Sequence, residues 1–185
     1  MRAVLLDGTD GKTSWMVPHI VERVQAMGYT LDNYHLEDEK VKRCLGCFGC
    51  WVKTPGECII DDIGRKVTES WVKSDLLIIT SPVLFGTYSF NLKKALDRIL
   101  PILLPYFIRI KGEVHHPHRY GYKQRLLVFG HVEVPMVDEE EAFRDLVLRN
   151  ALNFHVVESD VVMLTKETVV HQVNDAFSKL EGASS

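Results

Sequence analysis

The only four cysteines of the chain fall within fifteen residues, at Cys44, Cys47, Cys50 and Cys58, in the spacing C-x2-C-x2-C-x7-C. Two-residue gaps repeated twice let three thiolates converge on one compact inorganic centre, and the turn at Thr54, Pro55, Gly56 and Glu57 lets Cys58 come round as a fourth ligand. Gly46 and Gly49 favour such wrapping, because a backbone without Cβ bends tightly and turns its N–H groups toward sulfur. A redox centre is therefore the first reading. A structural zinc site also takes four cysteines, though usually as two separated C-x2-C knuckles. Four unmetallated thiols lining a pocket is the third reading, since free Cys packs as a small hydrophobe. Disulfides need an oxidising compartment, for which nothing at the N-terminus gives a signal.

The elements that must position these thiols alternate along the chain. Apolar runs of strand length at Ala3 to Leu6, about Tyr29 to His35, Leu76 to Thr80, Arg125 to Phe129 and Val161 to Leu164 predict five strands buried on both faces. Helical periodicity fills the gaps. Val17, Ile20, Val21 and Val24 share one face before Gly28, and Leu92, Ala95, Leu96 and Ile99 do so after Ser89. A later helix starts near Asp138 with Glu139, Glu140 and Glu141 complementing its dipole, and buries Phe143, Leu146 and Val147. The last uses Val170, Val173, Phe177 and Leu180. Strand–helix alternation of this kind predicts an α/β fold, a parallel sheet with helices on both faces.

In such a sheet ligands sit at the carboxyl ends of the strands near the switch in strand order. The loop after the first strand, Asp7 to Ser14, offers hydroxyls, glycine N–H groups and a helix N-terminus where a phosphate can dock. Its candidates are Thr9, Gly11, Lys12, Thr13 and Ser14; the alternative is an ordinary turn capped by Thr13. Gly11, Lys12 and Thr13 imitate the end of a Walker A loop, but Leu6 stands where that motif needs glycine. The third strand ends at Thr80 without a Walker B aspartate, which argues against a nucleotide triphosphatase. The loop from Ser81 to Ser89 is apolar and aromatic where a polar turn is usual. Pro82, Val83, Leu84, Phe85 and Gly86 suit a flat aromatic ligand, or else plug the top of the sheet.

These loops, the segment from Cys44 to Asp62 closed by Asp61 and Asp62, and the run from Leu92 to Arg98 together resemble the flavodoxin-like NADPH-dependent FMN reductases, and within them the iron–sulfur flavoproteins. The resemblance implies a flavodoxin-like three-layer sandwich with sheet order 2-1-3-4-5. It implies FMN, with its phosphate on Thr9, Gly11, Lys12, Thr13 and Ser14 and its isoalloxazine against Pro82 to Gly86. It further implies that Cys44, Cys47, Cys50 and Cys58 hold a [4Fe-4S] cluster near the flavin. NAD(P)H would be the electron donor, and a quinone, a flavin or a similar small molecule the acceptor. No side chain is then needed as catalytic acid, base or nucleophile. Alternatives are an iron–sulfur electron carrier without NAD(P)H activity, or a zinc-stabilised binding module. His131, past the fourth strand, either approaches the flavin edge or packs.

At 185 residues the chain suits one domain, expected over 1–182, with the cysteine loop at 44–62, an insertion at 100–122 and a short disordered tail at 183–185. A balance of 22 basic and 25 acidic residues, net charge −3, gives no support for a nucleic-acid or membrane partner. Met1 to Leu6 runs into a strand with no leader pattern, so a cytoplasmic protein is expected. The insertion carries Leu100, Ile102, Leu103, Leu104, Tyr106, Phe107 and Ile108 without helical or alternating period. An exposed patch that meets a second copy is expected there, with Arg119 and Tyr120 covering the partner's flavin in a homodimer or larger symmetric assembly. His115, His116 and His118 invite a metal reading, but Pro117 interrupts them, so a surface or flavin-capping role is preferred.

Overall fold

A computed structural model describes residues 1–121 and 123–182. Five strands form one parallel sheet: β1 (Arg2–Asp7), β2 (Thr30–His35), β3 (Leu76–Pro82), β6 (Arg125–His131) and β7 (Glu158–Met163), in the order β2-β1-β3-β6-β7. Counting only these five in chain order gives 2-1-3-4-5, the flavodoxin-like arrangement. All seven residues of β3 are buried, whereas in the edge strand β7 only Val161 is, with Glu158 exposed and the rest partly buried. That explains why β7 starts three residues earlier than its apolar run suggests: polar Glu158, Ser159 and Asp160 are tolerated at an edge.

Helices cover both faces. α3 (Ile63–Lys73), α4 (Phe90–Asp97) and α5 (Val137–Asn153) pack Val67, Trp71, Leu92, Ala95, Phe143 and Val147 on one side. α1 (Met16–Ala26) and α6 (Val169–Gly182) pack Met16, Ile20, Val24, Val173 and Phe177 on the other. Burying each large side chain in these layers stabilises by roughly 1.5–3 kcal/mol. Val170, expected in the core, is 54% exposed, and Val169 and Ala176 take the inward positions. Asp62 caps α3 by accepting from Gly64 N at 2.9 Å, and Ser89 caps α4 by accepting from Leu92 N at 3.4 Å. Gly28, at φ +76°, ends α1 in the left-handed conformation that glycine adopts without strain.

Two additions sit on the α3–α4–α5 face. The cysteine segment contains a single helical turn, α2 (Gly49–Val52). The 100–122 insertion is a 3₁₀ turn at Leu100–Ile102 followed by an antiparallel hairpin of β4 (Ile108–Ile110) and β5 (Glu113–His115). This corrects the expected bare apolar patch. Ile102 and Leu103 are buried in their own chain at 1% and 8% exposure; Tyr106 and Phe107 stay outside at 67% and 72%. The expected tail at 183–185 lies outside the described residues.

Candidate functional site

The carboxyl end of β1 is organised by a side chain that sequence reasoning passed over. Asp7 is 3% exposed and accepts from Thr9 N at 2.9 Å, Thr9 Oγ1 at 2.6 Å, Thr80 Oγ1 at 2.9 Å and His35 Nδ1 at 2.7 Å. Burial disfavours a charged His35 ring, but the hydrogen bond and charge of Asp7, with Asp38 and Glu37 beyond, outweigh it and raise the pKa. The network ties the ends of three adjacent strands together. No local signal marks it, because its members are brought together only by the sheet register.

Of the five expected phosphate ligands, Thr9 is buried and donates its hydroxyl to Asp7. Asp10 Oδ1 accepts from Lys12 N at 3.0 Å, Thr13 N at 3.0 Å and Thr13 Oγ1 at 2.8 Å. Burial opposes its charge, yet these hydrogen bonds hold the Asp10 carboxyl below its usual pKa. Asp10 thus occupies donors that an incoming phosphate would use, in the manner of an Asx turn. Gly11 and Ser14 are exposed beside it, nothing lies within 4 Å of where a Gly11 Cβ would stand, and Lys12 reaches out to Glu133 at 3.9 Å. The helix proper begins at Met16 with Trp15 as N-cap and no side-chain cap, so Thr13 braces the loop without capping α1.

The neighbouring loop is locked against this one. Gly8 N donates to Thr80 O at 2.8 Å, and a Cβ on Gly8 would stand 2.7 Å from Leu92 Cβ and 2.8 Å from Ser89 Oγ. Val83 N donates to His131 O at 2.8 Å, and Pro82 and Val83 are buried. Leu84 and Thr87 bond reciprocally across Phe85 and Gly86, both left-handed at φ +51° and +71°, as a type I′ turn requires. Gly86 meets α5 closely, since its Cβ would stand 2.7 Å from Ala142 Cβ. Phe85 is consequently raised to 94% exposure, with Leu84 at 50%. His131 donates Nδ1 to Leu164 O at 2.8 Å and meets Trp15 edge-on at 5.2 Å, a packing role.

The cysteine loop is a different construction. Cys50 is 8% exposed within α2, Cys47 is exposed, and Cys44 and Cys58 are intermediate. Gly46 N donates to Cys44 Sγ at 3.5 Å, and Gly46 and Phe48 are left-handed. Burial pushes the Cys50 thiol pKa up, and neighbouring Cys58, Cys44 and Cys47 add to it. Four thiols thus share one loop, with Cys50 held toward its protonated form. The expected ready convergence is not met, however: among the described residues no group of three or more His, Cys, Asp or Glu side chains is arranged to hold a metal ion. The physical reason is α2, whose helical turn directs Cys50 into the protein while Cys47, in the stretch before it, stays in solvent, and the Phe48 ring stacks on Trp51 at 5.2 Å.

The stems of this loop converge on Arg98, 2% exposed at the end of α4. Its guanidinium grips Asp62 bidentately at 3.0 and 2.8 Å, and donates to Lys42 O at 2.8 Å and Ile60 O at 3.1 Å. Burial works against both charges, but the pairing holds the Asp62 carboxyl down and the guanidinium up. The Cys58 thiol also acts electrostatically on Arg98. Only the helical motif around Arg98 was legible in sequence; its burial follows from Asp62, thirty-six positions away.

The insertion closes over the same loop. Trp51 Nε1 donates to Leu103 O at 2.9 Å, and its ring lies 4.8 Å from His116. A Cβ on Gly56 would stand 3.2 Å from Tyr120 Oη and 3.3 Å from Arg119 Cδ. Arg119 and Tyr120 thus pack on their own cysteine loop, with Arg119 held through its N to Ile102 O and its Nε to Pro101 O. The three histidines are pins as well. His115 Nδ1 bonds Asn153 Oδ1 at 2.9 Å, His116 Nδ1 bonds Tyr106 O at 2.8 Å, and His118 Nε2 bonds Phe154 O at 3.0 Å. Burial, together with His155, pulls the His118 pKa to about 4. No helix among the described residues is long and apolar enough to cross a membrane.

Comparison with known proteins agrees with this architecture. An iron–sulfur flavoprotein of Archaeoglobus fulgidus is 30% identical over 100 residues, which span 53% of this chain and about half, 48%, of that relative. Another, of Methanocaldococcus jannaschii, is 25% identical over 98% of this chain and 86% of its own length. Among solved structures, an NAD(P)H:quinone oxidoreductase from Methanothermobacter marburgensis superposes with TM-score 0.72 at 14% identity, covering 98% of this chain and 97% of that one. An FMN-dependent NADH-azoreductase from Bacillus anthracis, in complex with FMN, does so with TM-score 0.68 at 14% identity, covering 97% and 99%. Both structural likenesses bear on the fold. The family model for NADPH-dependent FMN reductases matches residues 1–168, and by that match the chain belongs to the NADPH-dependent FMN reductase family.

Proposed function

We propose that the protein is an FMN-dependent oxidoreductase that takes electrons from NAD(P)H and passes them to a small-molecule acceptor such as a quinone or flavin, with a [4Fe-4S] cluster on the cysteine loop as an intermediate carrier. The observation that carries this reading is the lock at Gly8, which fixes a phosphate-type loop and an aromatic turn side by side at the carboxyl ends of β1 and β3. FMN, when bound, supplies a ring that accepts hydride and releases electrons. The chain's own residues do the rest. Gly11, Lys12, Thr13 and Ser14 hold the phosphate, with Thr9 anchoring their loop to Asp7, and Pro82 to Gly86 form the wall for the isoalloxazine. No side chain is required as acid, base or nucleophile.

For the cluster, the supporting facts are four thiols on one loop and an N–H already directed at Cys44 Sγ. Cys44, Cys47, Cys50 and Cys58 would gather by rearrangement of a loop whose stems Arg98 holds fixed. A second copy of the chain is the cover this reading assigns to the exposed apolar edge of Phe85, Val134, Met136 and Val137. The test is titration of FMN-free protein with FMN, read by quenching of flavin fluorescence, followed by NAD(P)H oxidation with and without FMN. Saturable binding and FMN-dependent oxidation are expected. Anaerobic reconstitution with iron and sulfide should give visible absorbance that Cys47→Ser removes while FMN stays bound; iron-free wild type after reconstitution would eliminate the cluster and leave a flavin-only enzyme.

A further inference from the structure

A cavity of about 510 Å³ lies where both additions to the sheet fold over the groove between α4 and α5. Its floor is apolar: Leu96, Ile99, Leu100, Leu103 and Phe154. Its polar groups come from different segments, with Cys44 from the cysteine loop, His116 from the hairpin and Asn150 and Asn153 from α5. The volume and the mix of an apolar wall with a few convergent polar groups are those of a small-molecule site. Lys93 and Asp97, the only charged side chains lining it among the described residues, pair with each other, so the site is matched to a neutral ligand.

The polar groups have defined roles. Asn153 Oδ1 is taken by His115 Nδ1, which leaves the Asn153 amide N–H₂ as a donor. His116 Nδ1 donates to Tyr106 O, which fixes the tautomer and leaves Nε2 as the nitrogen that accepts a hydrogen bond. Asn150 Nδ2 bonds Tyr88 Oη at 3.1 Å, linking the cavity to the aromatic loop after β3. The wall thus touches both the cysteine loop, through Cys44, and the helix that follows the proposed flavin wall. The binding residues of the flavin reading, Gly11 to Ser14 and Pro82 to Gly86, do not line it.

We propose that this cavity is a second small-molecule site, separate from the flavin wall, that takes a neutral planar ring bearing carbonyl oxygens, of the quinone class. The ring lies on the Leu96, Leu100 and Phe154 floor, a carbonyl accepts from Asn153, and His116 faces the ring edge. Its role as an acceptor site rests on the electron-transfer reading above; its existence as a binding site does not.

The probe is duroquinone, whose fully methylated ring resists addition of thiols. Its binding to folded protein, with FMN present and absent, is read by saturation-transfer NMR of its methyl protons. Saturable binding indifferent to FMN is expected, weakened about tenfold or more by Leu100→Trp, which fills the floor. Lys93→Trp, at a half-exposed position on the rim, gives the same result with less risk to folding. Unchanged affinity in a folded Lys93→Trp protein, or displacement of duroquinone by FMN, would overturn the proposal. The two readings fail separately. If NAD(P)H-driven duroquinone reduction keeps its KM in both cavity variants while its NMR-detected binding weakens, the acceptor role of this site is wrong and both the binding site and the flavin reading stand. If no FMN binds but duroquinone binding still responds to both variants, the flavin reading fails and the cavity remains.

Discussion

At the carboxyl end of β1 a buried carboxylate accepts four hydrogen bonds from two neighbouring strands and the loop that follows it, whereas on the cysteine loop Cys47 lies in solvent and Cys50 points inward from a single helical turn. Both regions are fixed at their bases, one by Asp7 and one by Arg98. They differ in what happens above the base. The phosphate-type loop is saturated, down to Asp10 standing in for an anion, so its geometry is set before a ligand arrives. The cysteine loop has its donors nearby and its geometry unset. Preorganisation lowers the cost of binding only where the donors are free, so an anion at the first loop must displace Asp10 while the thiols must first gather, and the two regions are expected to answer differently to substitution.

The largest effect should come from breaking the base of the cysteine loop. Asp62→Ala leaves the Arg98 guanidinium buried without its carboxylate, which costs about 3–5 kcal/mol in a pair this deep. Urea unfolding should show that loss, and a change under about 1 kcal/mol would mean water reaches Arg98 easily. Next, Thr13→Ala with Ser14→Ala should weaken FMN binding by about 1–3 kcal/mol, the range for losing hydrogen bonds to a charged group. Equal affinity to wild type would shift the phosphate elsewhere and undo the contrast between the two regions.

A smaller effect separates the two regions by pH. The raised His35 pKa means that its ion pair with Asp7 stabilises fully below the unfolded value of about 6.5 and is lost as pH rises through the folded value. His118 has the opposite sign. Its folded pKa of about 4 lies below the unfolded value, so stability is retained above about 6.5 and declines as pH falls toward 4. His118→Gln should flatten the acid limb of the stability profile, and His35→Gln the limb on the alkaline side. If each substitution flattened the other limb, the assignment of both rings would be wrong.

What sequence could reveal follows from how local each feature is. Buried parallel strands leave continuous apolar runs, so β1, β3 and β6 were legible, while the sheet order came only from the family resemblance. The hairpin of β4 and β5 was not read, although Lys111 and Gly112, left-handed at φ +49° and +86°, form the short turn that joins it. Three-residue strands carry too little alternation to stand out. The phosphate-type loop and the cysteine spacing were visible because chemistry repeats within a few residues. Asp7, His35 and Thr80 were not, since strand register alone brings them together. Arg98 was visible as a letter in a helix and invisible as a clamp, because Lys42, Ile60 and Asp62 reach it from far along the chain.

That clamp turns the stretch from Lys42 to Asp62 into a loop closed by one side chain. Closing a flexible loop costs entropy that grows only logarithmically, so doubling its length adds about 0.6 kcal/mol. With both stems held by Arg98, residues can be added or removed between Cys50 and Cys58 at little cost to the sheet beneath. Length variation in this segment should therefore be tolerated by the fold and felt mainly by whatever the four thiols hold.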